Sequence, residues 1–249
     1  MKIIKIGLVA LIILVVGSYA WLEYNSTSNY AAPDQQALAA IVGDQQVTVK
    51  VNDWMVMTPA NNTTHTGLIV YPGAYCDISG YAPVLRRIAS AGYFSVTVAM
   101  PFGMAILSPD VAAEVINSYP DIKHWIIVGH SLGGAMAGRF AANNPQLLSG
   151  IILWDSHPPE SSSLVDSPLP VTLIHRATPD ALPPRKFAVV RDLFPVNSQW
   201  IPIPGGQHMY FGSFAGGGYE EEWAPAITRA EQQEIVVAAM LQQIGKMIR

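Results

Sequence analysis

The sequence predicts an open α/β fold: a mostly parallel sheet of eight strands, entered through an antiparallel hairpin, with helices on both faces. Three observations predict it. Six short runs, Leu68–Tyr71, Phe94–Met100, Trp125–Val128, Ile151–Trp154, Val171–His175 and Trp200–Ile203, are apolar without alternation, as strands buried on both faces are. Helical segments separate them, the order that builds a parallel sheet between two helix layers. Upstream, Val47, Val49 and Val51 alternate with polar residues, and Asn52-Asp53 turns into Trp54–Met57, a hairpin pattern.

The chain begins differently. "MKIIKIGLVALIILVVGSYAWLEY" places Lys2 and Lys5 before seventeen uncharged residues, Ile6 to Leu22, and no lysine or arginine follows until Lys50. That asymmetry holds the amino end inside and sends the rest across a membrane. The expectation is an N-terminal segment, residues 1–22, acting as a signal-anchor, with a signal peptide cleaved near Ser18-Tyr19-Ala20 as the alternative. The domain itself is expected outside the cytoplasm, anchored by the membrane segment or secreted after cleavage. Residues 23–46 read as a polar tether with a short helical piece, and residues 47–249 as the folded domain. Asn25, Asn61 and Asn62 sit in N-x-S/T sequons.

Within the domain, "YAPVLRRIASAG" reads as a helix closed by Gly92. The last helix is marked by Thr228 and Glu231, a capping box, and by an apolar face of Val236, Met240, Ile244 and Met247. Only some fifteen residues separate the Ile151 strand from the Val171 strand, too few for a large cap domain. A chain of 249 residues suits one such domain, and 50% hydrophobic against 13% charged residues excludes disorder for most of it. The net charge of -4, with no Lys/Arg cluster, argues against nucleic-acid binding. The lone Cys76 cannot form an internal disulfide, and no CxxC or HExxH spacing suggests a metal or a cofactor.

The chemistry is concentrated in "HWIIVGHSLGGAMAGRFAANNP", His124 to Pro145, where Gly129-His130-Ser131-Leu132-Gly133 joins an apolar strand to a helix. A serine hydroxyl becomes a nucleophile only when a base takes its proton and the resulting oxyanion is stabilised. Gly129 and Gly133 permit a sharp turn that projects Ser131 above the sheet edge and aims the Leu132 N–H at the developing charge. The base should follow the serine and the acid in the chain. His208, after the last strand, fits, whereas His175 lies inside a strand and His157 comes too early. His130 reads as packing. Asp180, after the Val171–His175 strand, is the expected acid, with Asp155 the alternative. The second oxyanion donor should come from "YPGAYCD", at the Ala74 N–H or, failing that, Tyr75. Cys76 reads as a buried hydrophobe or a target for thiol reagents close to the site. "MPFGMAIL" and Met209-Tyr210-Phe211 are core segments or the lining of an acyl pocket.

With these residues in hand, the chain resembles the α/β-hydrolase superfamily, and in particular the small, lidless, dienelactone-hydrolase-like branch, α/β-hydrolase family 5. "GLIVYPGAYCDISGYAPVLRRIASAGY", "AMPFGMAIL", "WIIVGHSLGGAMAGRFAAN", "GIILWDSHP", "IPIPGGQHMYFGSF" and "RAEQQEIV" carry the resemblance, from about Gly67 to Gln243. It implies a Ser-His-Asp hydrolase of esters or thioesters working through an acyl-enzyme, without a cofactor, on a small-molecule substrate. Two departures stand out. Where relatives carry Gly-Thr-x-Asp, this chain has "HRATPD", which keeps Asp155 in contention. "AGGGYEEEWAP" differs from the acidic loop of relatives, so Glu220 to Glu222 read as a solvated run. Two other functions compete on the same fold: acyl transfer or amide cleavage in the cell envelope, and a membrane-anchored binding protein without turnover. Oligomeric state has no signature in the sequence.

Overall fold

A computed structural model of the chain describes residues 2–61 and 64–248. The sequon at Asn62 lies outside the described residues. Strands β2 (Val47–Val51) and β3 (Trp54–Pro59) form the expected hairpin. They lead into β4 (Thr66–Tyr71), β5 (Phe94–Val98), β6 (His124–His130), β7 (Gly150–Trp154), β8 (Val171–Ala177) and β9 (Gln199–Pro204). The order across the sheet is β2-β3-β5-β4-β6-β7-β8-β9, parallel from β5 to β9. Eight strands in a mostly parallel sheet is the expected fold.

Neighbouring residues on one strand serve opposite cores, which is why the strand sequences do not alternate. Leu68 and Val70 pack with α3 (Ala82–Ser90) and α7 (Arg229–Met247) on one face, against Val84, Ile88, Val236 and Met240. Ile69 and Tyr71 face the other layer, made by α4 (Ala112–Ser118), α5 (Leu132–Asn143) and α6 (Arg185–Val189) through Val115, Met136, Phe140 and Phe187. The α7 capping box forms as expected, with Thr228 and Glu231 bonded reciprocally.

The N-terminal region carries more structure than expected. Helix α1 runs from Lys2 to Ser28, past the expected boundary at residue 22. Among the described residues no helix is long and apolar enough to cross a membrane, so the expected membrane-spanning anchor has no support. Nor is the segment after α1 a free tether. Strand β1 (Ala31–Pro33) pairs antiparallel with β10 (Phe214–Gly216), and α2 (Gln35–Ala40) is capped by Asp34 and buries Ala37. Asp34 also ion-pairs with Arg229 at the start of α7.

Candidate active site

The parallel register brings the carboxyl ends of β4, β6, β7 and β8 to one edge: Tyr71 pairs with Gly129, His130 with Trp154, and Trp154 with Ile174. Residues just beyond that edge form the site, where open α/β sheets place their ligands.

Ser131 follows β6 directly and starts α5. Its backbone has φ 53° and ψ −124°, a conformation L-residues rarely hold. Glycines make room for it. A Cβ on Gly129 would lie 2.5 Å from Gly134 Cα, and one on Gly133 would lie 2.2 Å from the Pro72 carbonyl oxygen and 2.3 Å from that of Tyr71. The turn is pinned on both sides: Ser131 N–H donates to the Trp154 carbonyl at 3.1 Å, and Ser156 Oγ–H donates to the Ser131 carbonyl at 2.5 Å.

His208 opens a short 3-10 turn after β9 and is 2% exposed. Its Nδ1 bonds Asp155 Oδ2 at 2.6 Å. Asp155, 1% exposed with φ 45°, directly follows β7. The structure therefore brings together Asp155 and His208, and corrects the expectation of Asp180. Strand β8 extends two residues further than predicted, to Ala177, and the turn after it closes on itself through Thr178 N–H to Leu182 O and Ala181 N–H to Thr178 O. Asp180 is left exposed in that turn.

Burial alone would push the Asp155 carboxyl up. The hydrogen bond and charge of His208, then the charges of Lys186 and Arg176, outweigh it and hold the group well below the usual carboxylate range. Arg176 Nε lies 3.0 Å and Lys186 Nζ 3.6 Å from Asp155 Oδ2.

Two of the loop amides near the site are already bonded. Gly73 N–H is taken by Tyr81 Oη at 2.8 Å, and Tyr75 N–H by the Gly103 carbonyl at 2.9 Å. The fallback Tyr75 is thereby occupied. Among the described residues the amides of Ala74 and Leu132 have no partner, the former on the cavity wall and the latter in the first turn of α5.

His130 does more than pack. Its Nε2–H donates to the His208 carbonyl at 3.0 Å, so Nδ1 accepts from Tyr81 O–H at 2.9 Å. A buried chain thus runs from the oxyanion loop through Tyr81 and His130 to the histidine loop. Burial first, and the neighbouring His208 charge second, push His130 well below the usual histidine range, keeping it neutral. The reading of Glu220 to Glu222 as a solvated run is also corrected: Glu221 accepts from Met209 N–H at 3.0 Å, and both Glu221 and Glu222 bond Arg176. Tyr219, from the same loop, stacks on the His208 ring with centroids 3.9 Å apart. The sequence hid the Arg176 contacts, because their partners lie more than forty residues away.

A cavity of about 200 Å³ lies at this edge, bounded by Ala74, Cys76, Ser131, His208, Met209 and Tyr219. Of the segments considered for an acyl pocket, only Met209 lines this cavity. Phe211 is core, while Met100 and Gly103 line a neighbouring cavity of about 290 Å³ that shares Tyr75 and Cys76 with the first. Burial pushes the Cys76 thiol up to about 12, so the protonated form prevails beside the site. Among the described residues no group of three His, Cys, Asp or Glu is placed to hold a metal.

A strained serine turn, a histidine and a carboxylate set along the carboxyl edge of a doubly covered, mostly parallel sheet fit the α/β-hydrolase class. The chain belongs to the alpha/beta hydrolase family, whose profile matches residues 67–234. No curated protein matches the chain. Solved structures share the fold at low identity. BpoC of Mycobacterium tuberculosis H37Rv is 14% identical, with a TM-score of 0.58 over 82% of this chain and 99% of its own. Est1E of Butyrivibrio proteoclasticus, solved with ferulic acid bound, is 14% identical, with a TM-score of 0.56 over 82% and 98%. A soluble variant of monoglyceride lipase from Saccharomyces cerevisiae is 13% identical, with a TM-score of 0.54 over 80% and 94%.

Proposed function

We propose that the protein hydrolyses a small carboxylic ester or thioester through an acyl-enzyme on Ser131, with His208 as base and Asp155 as acid. The observation that carries this reading is the 2.6 Å bond from His208 Nδ1 to a buried Asp155, in a site that shares its cavity with the strained Ser131. With Nδ1–H committed to the carboxylate, Nε2 is the nitrogen left to act on the serine. Among the described residues no hydrogen bond joins His208 Nε2 to Ser131 Oγ. That bond closes when substrate enters, since catalytic hydrogen bonds in unliganded sites are often long.

In the reaction, Ser131 Oγ attacks the acyl carbon as its proton passes to His208 Nε2. The oxyanion receives the amides of Ala74 and Leu132, and the dipole of α5 adds to their effect. Collapse expels the alcohol or thiol, which takes the proton from Nε2. Water then repeats the sequence and frees the acid. The cavity volume suits short acyl groups, and structural neighbours such as Est1E, which binds ferulic acid, and a monoglyceride lipase accord with ester chemistry. A buried carboxylate bonded to His208 favours turnover over the binding-protein alternative.

Ser131→Ala is expected to abolish turnover of p-nitrophenyl acetate and butyrate and labelling by a fluorophosphonate probe. Undiminished labelling of that variant would remove Ser131 from the mechanism. We propose further that the domain works outside the cytoplasm, led there by its N-terminal segment. Lys2 and Lys5 ahead of an uncharged run support this, together with the exposed apolar surface of Ile13, Leu14 and Val16 on α1. Digestion of the intact chain by protease added to whole cells would bear on it, and full protection would count against it.

A further inference from the structure

Arg176, the penultimate residue of β8, is fully buried, and its side-chain nitrogens are all engaged. Its backbone N–H donates to Asp155 Oδ1 at 3.2 Å and its Nε–H to Asp155 Oδ2 at 3.0 Å, so one residue grips both oxygens. The outer guanidinium nitrogens reach the loop beyond β10: Glu221 at 3.5 Å, Glu222 at 2.7 Å and Tyr219 Oη at 2.8 Å. The Trp223 ring covers the guanidinium carbon at 4.7 Å. Glu221 in turn accepts the N–H of Met209, the residue after His208.

The contacts form a closed circuit: Asp155 to Arg176, Arg176 to Glu221, Glu221 to the His208 turn, and His208 back to Asp155. Such a set is an expensive way to fill a core, because desolvating the charges cancels much of their attraction, and apolar residues of similar volume commonly do as well. What the circuit supplies is geometry. Arg176 presents a rigid planar fork, and a fork can fix a carboxylate's direction where a flexible ammonium cannot.

We propose that Arg176 is a positioning residue for the reaction. It holds Asp155 Oδ2 towards His208 Nδ1, and it clamps the 219–222 strap so that Tyr219 covers the exposed face of the His208 ring. The proposal rests on the reading of Ser131, His208 and Asp155 as the catalytic set.

The charged groups around the pair define the expected pH behaviour. Arg176 and Lys186 face Asp155, His130 and Tyr219 face His208, and Glu221 and Glu222 face Arg176. Removing the Arg176 cation leaves Lys186 as the one cation in contact with Asp155 and changes the field across the His208–Asp155 pair. The acidic limb of the kcat/KM profile should then move to higher pH.

The test compares wild type with Arg176→Met, Arg176→Lys and the double variant Glu221→Gln, Glu222→Gln. Three quantities are read: kcat and KM on p-nitrophenyl acetate across pH, fluorophosphonate labelling, and the low-field proton NMR resonance of His208 Nδ1–H. Arg176→Met should lower kcat about 10- to 100-fold with KM within about 2-fold, the pattern of a misplaced catalytic group. It should also broaden or shift the low-field resonance and displace the acidic limb upward. Arg176→Lys should recover less than about 10-fold, because it restores the charge without the fork. The double carboxamide variant keeps the Arg176–Asp155 contact and changes only partly exposed groups, so it reports if Arg176→Met fails to fold. It should lower kcat about 5-fold. An unmoved resonance with kcat within 2-fold of wild type, in whichever variants fold, overturns the proposal. A wild type without turnover or labelling overturns the hydrolase reading instead, and the resonance still decides whether Arg176 orients the pair.

Discussion

At the end of β6, Ser131 is held by atoms in contact; one strand away, at the end of β7, Asp155 is held by charge. The serine turn depends on Gly129, Gly133 and Gly134, each with neighbouring backbone or side-chain atoms within 2.7 Å of where a Cβ would sit. No titratable group takes part in it. The acid depends on Arg176, Lys186 and His208, and through Arg176 on two carboxylates of a loop entered through Gly216 and Gly217, both at positive φ. Sterics are indifferent to pH and salt, whereas ion pairs are not. Ser131 should therefore keep its geometry wherever the chain folds, while His208 and Asp155 keep theirs only within a window of conditions.

The comparison can be broken most sharply from the charged side. Asp155→Asn preserves shape but no longer enforces the tautomer of His208 that carries its proton on Nδ1, and kcat on p-nitrophenyl acetate should fall about 10⁴-fold. Asp180→Asn, in an exposed turn, should stay within about 2-fold. The reverse pattern would return the acid to Asp180. From the steric side, Gly133→Ala drives a methyl against two carbonyl oxygens that belong to the β4 edge and cannot yield without moving the oxyanion loop. A loss of about 3 kcal/mol or more is expected in urea unfolding, at the upper end of overpacking costs. A neutral Gly133→Ala would show that the turn is looser than its contacts imply.

The same contrast explains how far the site could be read from sequence. The serine turn was legible because its requirements are local: glycines at fixed offsets between an apolar strand and a helix. His208 was legible from its place after the last strand. The acid was not, because chain order allows both Asp155 and Asp180, and what separates them is non-local. Arg176 lies twenty-one residues from Asp155, and its other partners lie forty-three to forty-six residues further on. Nothing in "YEEEW" announces that two of its carboxylates turn inward. Strand β1 was hidden for a related reason, being three residues without alternation whose partner lies near residue 215. The eight-strand sheet, by contrast, announced itself in uninterrupted apolar runs.

A smaller effect tests whether the imidazoles behave as the acid side requires. His130 and His175 are both pushed below the usual histidine range, chiefly by burial, and so remain neutral in the folded protein. The unfolded chain takes up these protons below about pH 6.5. The unfolded state then binds more protons, so stability is full above that pH and falls as pH drops. The slope reaches at most about 1.4 kcal/mol per pH unit for each histidine. Asp155 adds a contribution of the same sign at lower pH: it is present above the ordinary carboxylate range and is lost as pH falls below about 4. Urea midpoints between pH 7 and pH 5 should therefore decline, and His130→Gln should remove about half of the slope. A flat profile in wild type would mean that these rings are solvated in the native state.

The smallest effect expected is that of salt, and it separates the layers of the charged region. Glu222 is half exposed, at 51%, and its pair with Arg176 is open to counter-ions, whereas the Asp155–Arg176 pair is closed to solvent at both partners. At about 1 M ionic strength the screening length is about 3 Å, so the outer contact weakens while the inner one does not. Releasing the outer contact loosens the Tyr219 strap without freeing Asp155. Raising NaCl from low to about 1 M should lower kcat about 2-fold in wild type, in line with an exposed pair worth less than about 1 kcal/mol. Glu222→Gln should begin at the reduced value and be insensitive to salt. Equal salt responses in the two proteins would place the sensitivity elsewhere and remove the strap from the account of how His208 is held.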